Sequence, residues 1–177
     1  KTSKKDIDFK SRINSLSENI KSLYEKYDAA FDKDELNLLV AFGYEGTNRT
    51  DLQKMYRYNA KSFQALKNDV SRIYSDRINN TCQNCTINSI DSLDHFLPQQ
   101  EFSEYTAHPK NLIPSCTSCN RTKNDISSNS GDKFFLNLYK DILQKSQFLF
   151  VETKIDSKLI ETKFTIHNTN NIDNKLF

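Results

Sequence analysis

The sequence predicts a mainly helical α+β protein with an irregular central segment and a C-terminal β-hairpin. Apolar residues recur at helical spacing through most of residues 1–80, and this periodicity stops within 81–126. Two strand-like runs then lie within 127–177. We therefore predict three regions with these boundaries: an N-terminal helical region, a central motif, and a C-terminal helix with a hairpin.

The first predicted helix covers residues 6–31. Its apolar seam alternates spacings of four and three residues and consists of Phe9, Ile13, Leu16, Ile20, Leu23 and Tyr27. Such a seam can pack against other helices of the same chain, or it can dock onto a helix of a partner protein. Three heptads do not decide between these interpretations.

Further helices are predicted on both sides of the central motif. A short helix over 34–42 would end at Gly43, which suits a left-handed C-terminal cap. Residues 44–49 are predicted as a loop, after which Thr50 and Gln53 form a capping box that begins a third helical stretch. This stretch continues to about Asp76 along the stripe Phe63, Leu66, Val70 and Ile73.

The C-terminal region is predicted to begin with another amphipathic helix after Gly131. Its apolar positions are Phe134, Phe135, Leu138, Tyr139, Ile142 and Leu143. Strands are predicted over 148–155 and 159–167, joined by a turn at Asp156 and Ser157.

The overall charge and hydropathy of the sequence exclude few classes of protein. The 25 basic and 23 acidic residues leave a formal charge of +2, which is too balanced to indicate nucleic-acid binding by itself. No apolar run approaches the roughly 20 residues that cross a bilayer, and no signal-peptide pattern opens the sequence. We expect a cytoplasmic protein without a membrane partner.

The four cysteines form two CxxC pairs, Cys82 with Cys85 and Cys116 with Cys119. A single CxxC is compatible with a thioredoxin-like redox pair, but two such pairs favour a Cys₄ zinc site. A closed shell of four thiolates leaves no position for water, so this zinc would be structural. It would stabilise a segment that has few large apolar residues of its own.

The segment between the cysteine pairs predicts two short strands. Leu93, His95 and Leu97 alternate as in a strand that Pro98 ends, and 111–114 predicts the second strand. A helix is expected to begin after Cys116. The predicted order is therefore strand, loop, strand, helix, with the cysteines at the base.

These residues resemble the motif of the HNH endonucleases, which have the ββα-metal fold. The resemblance rests on Asp94-His95, on Asn111 and on Cys116-x-x-Cys119-Asn120-x-x-Lys123, with the upstream CxxC completing the zinc site. The wording DHFLP…HPKNLIPSCTSCNRTK is also similar to Septu-like HNH nucleases, which are encoded beside an ATPase in prokaryotic anti-phage defence systems.

The resemblance implies a role for each motif residue. His95 would be the general base that activates water, and Asp94 and Asn120 would bind one catalytic Mg²⁺ or Mn²⁺. Asn111 would orient the His95 ring through a backbone contact. The commonest family pattern has His at position 120, and the amide found here favours Mg²⁺ or Mn²⁺ over softer metals. Asn120 could instead cap the helix, and Asn111 could be a turn residue.

The expected substrate is DNA, with RNA not excluded, but residues 81–126 contain only three basic against five acidic side chains. Arg121 and Lys123 are candidate phosphate contacts, and Lys123 matches the family position. Other basic side chains are available in the third helical region: Lys54, Arg57, Lys61, Lys67, Arg72 and Arg77. They would form either a solvated helix face or a surface for DNA.

Four other polar residues are less informative. His108 is expected to be structural and His167 to lie on the surface, whereas Glu101 and Glu104 could approach the metal or remain solvated. The whole pattern predicts a metal-dependent DNA endonuclease that acts in anti-phage defence, with an ATPase partner docked through the N-terminal helices. The alternative is a zinc-finger module that binds nucleic acid or protein without cleaving it.

Overall fold

The computed structural model describes residues 4–72, 80–126, 128–129, 132–133, 135–142, 146–157 and 159–172. The chain divides into two compact units, Lys1–Phe135 and Leu136–Phe177. Among the helices within the described ranges, none is both long enough and apolar enough to span a bilayer.

The long first helix is confirmed. Helix α1 (Lys4–Lys33) ends at Asp34, whose φ of 61° takes the chain out of the helical conformation. Its seam is half-buried from Phe9 to Ile20 and fully buried at Leu23 and Tyr27. The C-terminal half of the seam therefore packs within this chain.

The helix predicted over 34–42 is wrong. Only the 3₁₀ turn Leu36–Leu38 forms, and the chain then runs without regular structure to Gly43, whose φ is +84°. Phe42 N donates a hydrogen bond to the buried Glu104 carboxylate at 2.7 Å, and this contact favours a non-helical conformation of the segment. The backbone N–H is thus satisfied by a distant side chain instead of by a helical carbonyl.

The loop over 44–49 and the capping box are also wrong, because helix α2 (Gly46–Gln53) already includes Thr50. Its hydroxyl donates to Gly46 O at 3.0 Å, one turn back in the same helix. The helix is docked by the buried Asp51, whose Oδ2 lies 2.5 Å from Arg12 Nε on α1. This contact joins α2 to α1.

Helix α3 (Lys61–Arg72) confirms most of the third predicted stripe, and Ile73 to Asp76 lie outside the described residues. The central motif follows as strands β1 (Ser92–His95) and β2 (Leu112–Ser115), which pair antiparallel with His95 opposite Leu112. Helix α4 (Thr117–Lys123) comes directly after β2 and packs on β1. The order strand, loop, strand, helix is as predicted.

The helix predicted after Gly131 does not form. Strands β3 (Ser128–Asn129) and β4 (Asp132–Lys133) make a short hairpin, and 135–142 is turn and irregular chain, with Phe134 and Leu143 outside the description. Asn137 Oδ1 accepts from Tyr139 N at 3.1 Å, and Asp141 Oδ2 accepts from Asn137 N at 2.6 Å. These side chains compete with helical carbonyls for the backbone donors.

The C-terminal hairpin is confirmed. Strands β5 (Leu149–Asp156) and β6 (Leu159–Ile166) pair antiparallel from Leu149 opposite Ile166 to Asp156 opposite Leu159. The turn between them includes Ser157, which donates through its backbone N–H to Asp156 Oδ1 at 2.6 Å.

Candidate active site and metal centre

The four cysteines converge although 30 residues separate the two pairs. Their sulfur atoms all lie within 4.8 Å of one another, and Cys85 Sγ is 3.9 Å from Cys116 Sγ. Four thiolates around one zinc at about 2.3 Å stand roughly 3.8 Å apart at the edges of a tetrahedron. The donor set and its spacing therefore fit zinc.

Local backbone structure aims these sulfur atoms at each other. Cys116 is the N-cap of α4, and its Sγ accepts from Cys119 N at 3.4 Å, while Cys85 Sγ accepts from Asn88 N at 3.5 Å. Burial opposes ionisation of Cys82, but surrounding backbone N–H groups outweigh it and lower its pKa to about 6. Burial and the neighbouring cysteines raise the pKa of Cys119 to about 12.

His95 ends β1 and is only 8% exposed. Its Nε2 lies 2.9 Å from the carbonyl oxygen of Thr106, and the ring of Tyr56 packs edge-on against it with 4.8 Å between centroids. Burial lowers the pKa of His95 to about 4, against the opposing effect of the Thr106 carbonyl, so the ring is neutral at physiological pH.

The tautomer of His95 follows from its partner. A carbonyl oxygen can only accept a hydrogen bond, so Nε2 must carry the proton and Nδ1 must carry a lone pair. Nδ1 has no hydrogen-bond partner among the residues that the structure describes. His95 is therefore a neutral imidazole with a free basic nitrogen, which is what a general base requires.

Asn111 contacts the chain that follows His95, and its hydrogen bonds do not include the His95 ring. It is fully buried, and its side chain accepts from Leu97 N at 2.7 Å and donates to Leu97 O and Tyr105 O, each at 3.1 Å. The Asn111 carbonyl also accepts from Phe96 N at 2.8 Å. Asn111 thus joins both ends of the loop that presents Thr106 O to the His95 ring.

Asp94 and Lys123 form a buried pair between β1 and α4. Lys123 Nζ lies 3.5 Å from Asp94 Oδ1 and donates to His95 O at 2.7 Å. Burial raises the pKa of Asp94 to about 6, although the Lys123 ammonium favours its ionised form. Burial likewise lowers the pKa of Lys123. The ammonium faces the strand here, not solvent, and it is only 7% exposed.

Asn120 shares this interface with Asp94. Its Nδ2 donates to Ser92 Oγ at 3.3 Å, and Ser92 lies two residues before Asp94 on the same face of β1. Asn120 and Lys123 are one turn apart on α4, so they meet successive residues of that face. A carboxylate and an amide oxygen are donors that Mg²⁺ and Mn²⁺ accept.

Asp94 and His95 are consecutive, so their side chains leave the strand on different sides. Asp94 contacts Lys123 of α4, whereas His95 contacts Tyr56 and Thr106. Lys123 connects them, because its charge also contributes to lowering the pKa of His95. The polar groups of the site therefore surround the end of β1.

The remaining candidates lie apart from this cluster. Arg121 is exposed on α4, and Glu101 is exposed in the loop after β1. Glu104 is buried and accepts from Phe42 N, away from the strand end. His108 is buried between the rings of Tyr24 and Tyr27. His167 lies exposed in the second unit.

Tyr56 is a site residue that the sequence did not reveal. Its hydroxyl donates to Leu93 O at 3.1 Å and accepts from Leu93 N at 3.3 Å, while its ring packs against His95. Burial raises its pKa to about 12, so it remains protonated. Tyr56 stands 37 positions before Leu93 in the turn after α2, and nothing in the local sequence signals the contact.

The central segment corresponds to a known family. Residues 82–125 match the HNH endonuclease family model. This HNH segment (residues 82–125) contains the cysteine cluster, both strands and α4, and it is about a quarter of the 177-residue chain. The match indicates a nuclease-like segment.

A curated relative shares part of the chain. Protein ea31 of Escherichia phage lambda is 34% identical over 77 residues, which make up 41% of this chain and 25% of the phage protein. The shared region thus spans about a quarter of that relative's length. No solved structure matches the chain significantly.

Proposed function

We propose that this protein is a metal-dependent endonuclease that hydrolyses phosphodiester bonds in DNA, with the HNH segment folded as a ββα-metal finger. The observation that carries the proposal is the state of His95: the ring is neutral, Thr106 O fixes its proton on Nε2, and no residue in the described ranges hydrogen-bonds to Nδ1. Asp94 and Asn120 lie at the β1–α4 interface, on the other side of the strand that carries His95, in a segment that matches the HNH family.

In this mechanism His95 Nδ1 accepts the proton of the attacking water. Thr106 O stabilises the imidazolium that results, because it already accepts a hydrogen bond from the opposite nitrogen. Asp94 and Asn120 would hold the Mg²⁺ or Mn²⁺, which when bound neutralises charge on the phosphate and on the leaving oxygen. Lys123 keeps a positive charge beside Asp94.

Zinc would have a separate, structural role in this proposal. The CxxC pairs fix the chain just before β1 and the start of α4, so a cation held by Cys82, Cys85, Cys116 and Cys119 would keep those elements in register. Four sulfur ligands leave no open coordination position. We therefore assign no chemical step to the zinc.

The test compares two histidine-to-alanine substitutions. His95→Ala should lower Mg²⁺-dependent cleavage of supercoiled plasmid by about 10²- to 10⁴-fold, because the general base is lost. His167→Ala removes an exposed histidine of the second unit and should leave cleavage unchanged. Zinc content and circular dichroism should be the same for both variants. Equal cleavage by wild type and His95→Ala would rule out the proposed base.

A binding module that does not cleave is the other function considered. It would need the cysteines but not a neutral histidine with a fixed tautomer beside a buried carboxylate and an amide. Incubating plasmid with the zinc-loaded protein and Mn²⁺ separates the two: nicked or linear products support the nuclease, and stable retention without products supports the binding module.

We further propose a cytoplasmic defence role in which an ATPase partner docks onto α1. The support is the similarity of the motif to Septu-like nucleases, together with the half-buried state of Phe9, Ile13, Leu16 and Ile20. Only the C-terminal half of this seam is fully buried in the present chain. Co-purification with an ATPase, if one is encoded beside the gene, tests this, with Ile13→Asp expected to abolish the complex. An active protein that stays monomeric when mixed with that ATPase would exclude it.

A further inference from the structure

The HNH segment lacks the positive charge needed to hold a polyanion. Of the three basic residues in 81–126, Lys110 pairs with Asp28 at 2.8 Å and Lys123 is buried against His95 O. Within this range, all of which is described, that leaves Arg121 as the exposed cation without a partner. A nucleic-acid strand must therefore find most of its phosphate contacts on another part of the molecule.

An open groove lies between the end of α2 and the loop after β1. Its volume is about 460 Å³, and it is lined by Gln53, Lys54, Tyr56, Arg57, Gln99 and Gln100. We call it the α2 groove. Its lining contains two cations, three side-chain amides and no carboxylate, a composition that suits phosphates and polar base edges.

Both cations of the α2 groove are available to a ligand. Arg57 is exposed and has no ion-pair partner in the part of the chain that the structure describes. Lys54 is 58% exposed, and its Nζ is 3.7 Å from Asp51 Oδ1, on a carboxylate that Arg12 already engages at 2.5 Å. The Lys54 pairing is therefore long and easily replaced by a phosphate.

The walls of the groove are held together by the protein itself. Gln53 Nε2 donates to Gln99 O at 3.0 Å, and Arg49 donates to the carbonyl and the side-chain amide of Gln100. These contacts tie α2 to the loop that continues from β1. The groove is thus preorganised, and a ligand would not have to order it.

The groove shares one residue with the surroundings of the proposed general base. Tyr56 is among the residues that line the groove, and its ring packs against His95 with 4.8 Å between centroids. Because the groove is open and shallow, it suits an extended polymer better than a small enclosed molecule. We propose that the α2 groove binds the phosphate backbone of the substrate nucleic acid beside the scissile phosphate, with Lys54 and Arg57 as the phosphate contacts. This inference rests on the proposed nuclease function.

The test measures binding separately from cleavage. Lys54→Gln and Arg57→Gln are combined in the His95→Ala background, and the affinity for a short DNA duplex is measured by fluorescence anisotropy between 50 and 300 mM salt. Losing two phosphate contacts should weaken binding about 10- to 100-fold at ~0.1 M salt. The plot of log K against log salt should become less steep, with the magnitude of its negative slope reduced by about 2. A matching single-stranded DNA and an RNA strand identify the preferred substrate.

The control removes two charges from α1 instead. Lys10→Gln with Lys26→Gln alters two exposed lysines of the same unit and should leave both the affinity and the slope unchanged. If the variant with Lys54→Gln and Arg57→Gln has the same slope of log K against log salt as the parent protein, the proposed binding role of the α2 groove is wrong, whatever the cleavage assay shows. A reduced slope with no cleavage by wild type would support the groove while rejecting the nuclease function.

Discussion

The protein contains two antiparallel hairpins whose surroundings are opposite. β1–β2 has four residues per strand, nearly all buried, whereas β5–β6 has eight per strand, nearly all exposed. Every ionisable or amide group proposed for chemistry lies on or around the short hairpin. The longer hairpin is almost entirely exposed and carries none of these groups.

The comparison shows what burial adds to a strand. In β1 the polar residues Asp94 and His95 are enclosed, and enclosure shifts their pKa values in opposite directions, to about 6 and about 4. In β5 and β6 the charged residues Glu152 and Lys163 face each other across the strands in solvent. Chemistry at neutral pH needs the first kind of environment.

Zinc removal should produce the largest difference in behaviour between the two hairpins: β1–β2 should unfold and β5–β6 should not. Replacing Cys116 by Ser, or stripping the metal with a chelator, should unfold β1, β2 and α4, because a zinc held by the four thiolates would supply much of the stability of this segment. Backbone amide NMR signals of 92–95 and 112–115 should lose their dispersion, while those of β5–β6 remain in place. Ser118→Ala, between the two cysteines, is the control and should change neither. A folded and active metal-free protein would contradict a structural zinc.

Removing the Asn111 side chain should be the next largest change. Asn111→Ala leaves the N–H and the carbonyl of Leu97 and the carbonyl of Tyr105 without their partner in a buried site. The free energy of unfolding should fall by about 3 to 5 kcal/mol, measured by urea denaturation. Asn14→Ala, on the exposed face of α1, should have an effect near zero. Similar values for the two variants would show that the loop is not held by Asn111.

The pH dependence of stability should report the buried His108. Burial lowers its pKa from 6.5 to about 4, although Asp28 opposes this effect. Between these values the unfolded chain binds more protons, so stability is present above pH 6.5 and is lost as the pH falls toward 4.

His108→Phe should therefore reduce the difference in unfolding free energy between pH 7.5 and pH 5 by about 2 kcal/mol. Urea titrations of wild type and variant at both pH values measure it, and the comparison cancels the contributions of Asp94 and His95. An unchanged difference would mean that His108 is not buried in its neutral form.

The smallest loss of stability is expected when an exposed leucine of β5 is replaced by alanine, compared with a buried leucine of β1. Leu93 of β1 is 1% exposed and Leu149 of β5 is 50% exposed. Leu93→Ala should cost about 2 to 5 kcal/mol of stability because a buried side chain is lost. Leu149→Ala should cost about 0.5 kcal/mol or less. Calorimetry of the two variants gives both values, and equal costs would mean that Leu149 is covered in solution.

Much of the fold was predictable where the pattern was local. The seam of α1 and the stripe of α3 follow from the periodicity of neighbouring residues, and β5 and β6 follow from two strand-like runs joined by a turn. The predicted helices over 34–42 and after Gly131 failed because the backbone donors of Phe42 and Asn137 are satisfied by the side chains of Glu104 and Asp141. One of these partners is 62 residues away, so no periodicity could indicate it.

The sequence by itself determined which residue types this protein has for chemistry: two CxxC pairs, an Asp-His pair and an Asn at each of two positions in the central segment. Spacing alone was enough to predict the strand, loop, strand, helix order around them. Only the tertiary structure decided that Thr106 fixes the tautomer of His95, that Lys123 turns inward to Asp94, and that Tyr56 packs on the base. These are contacts between segments distant in sequence, and they depend on burial, which no local pattern specifies.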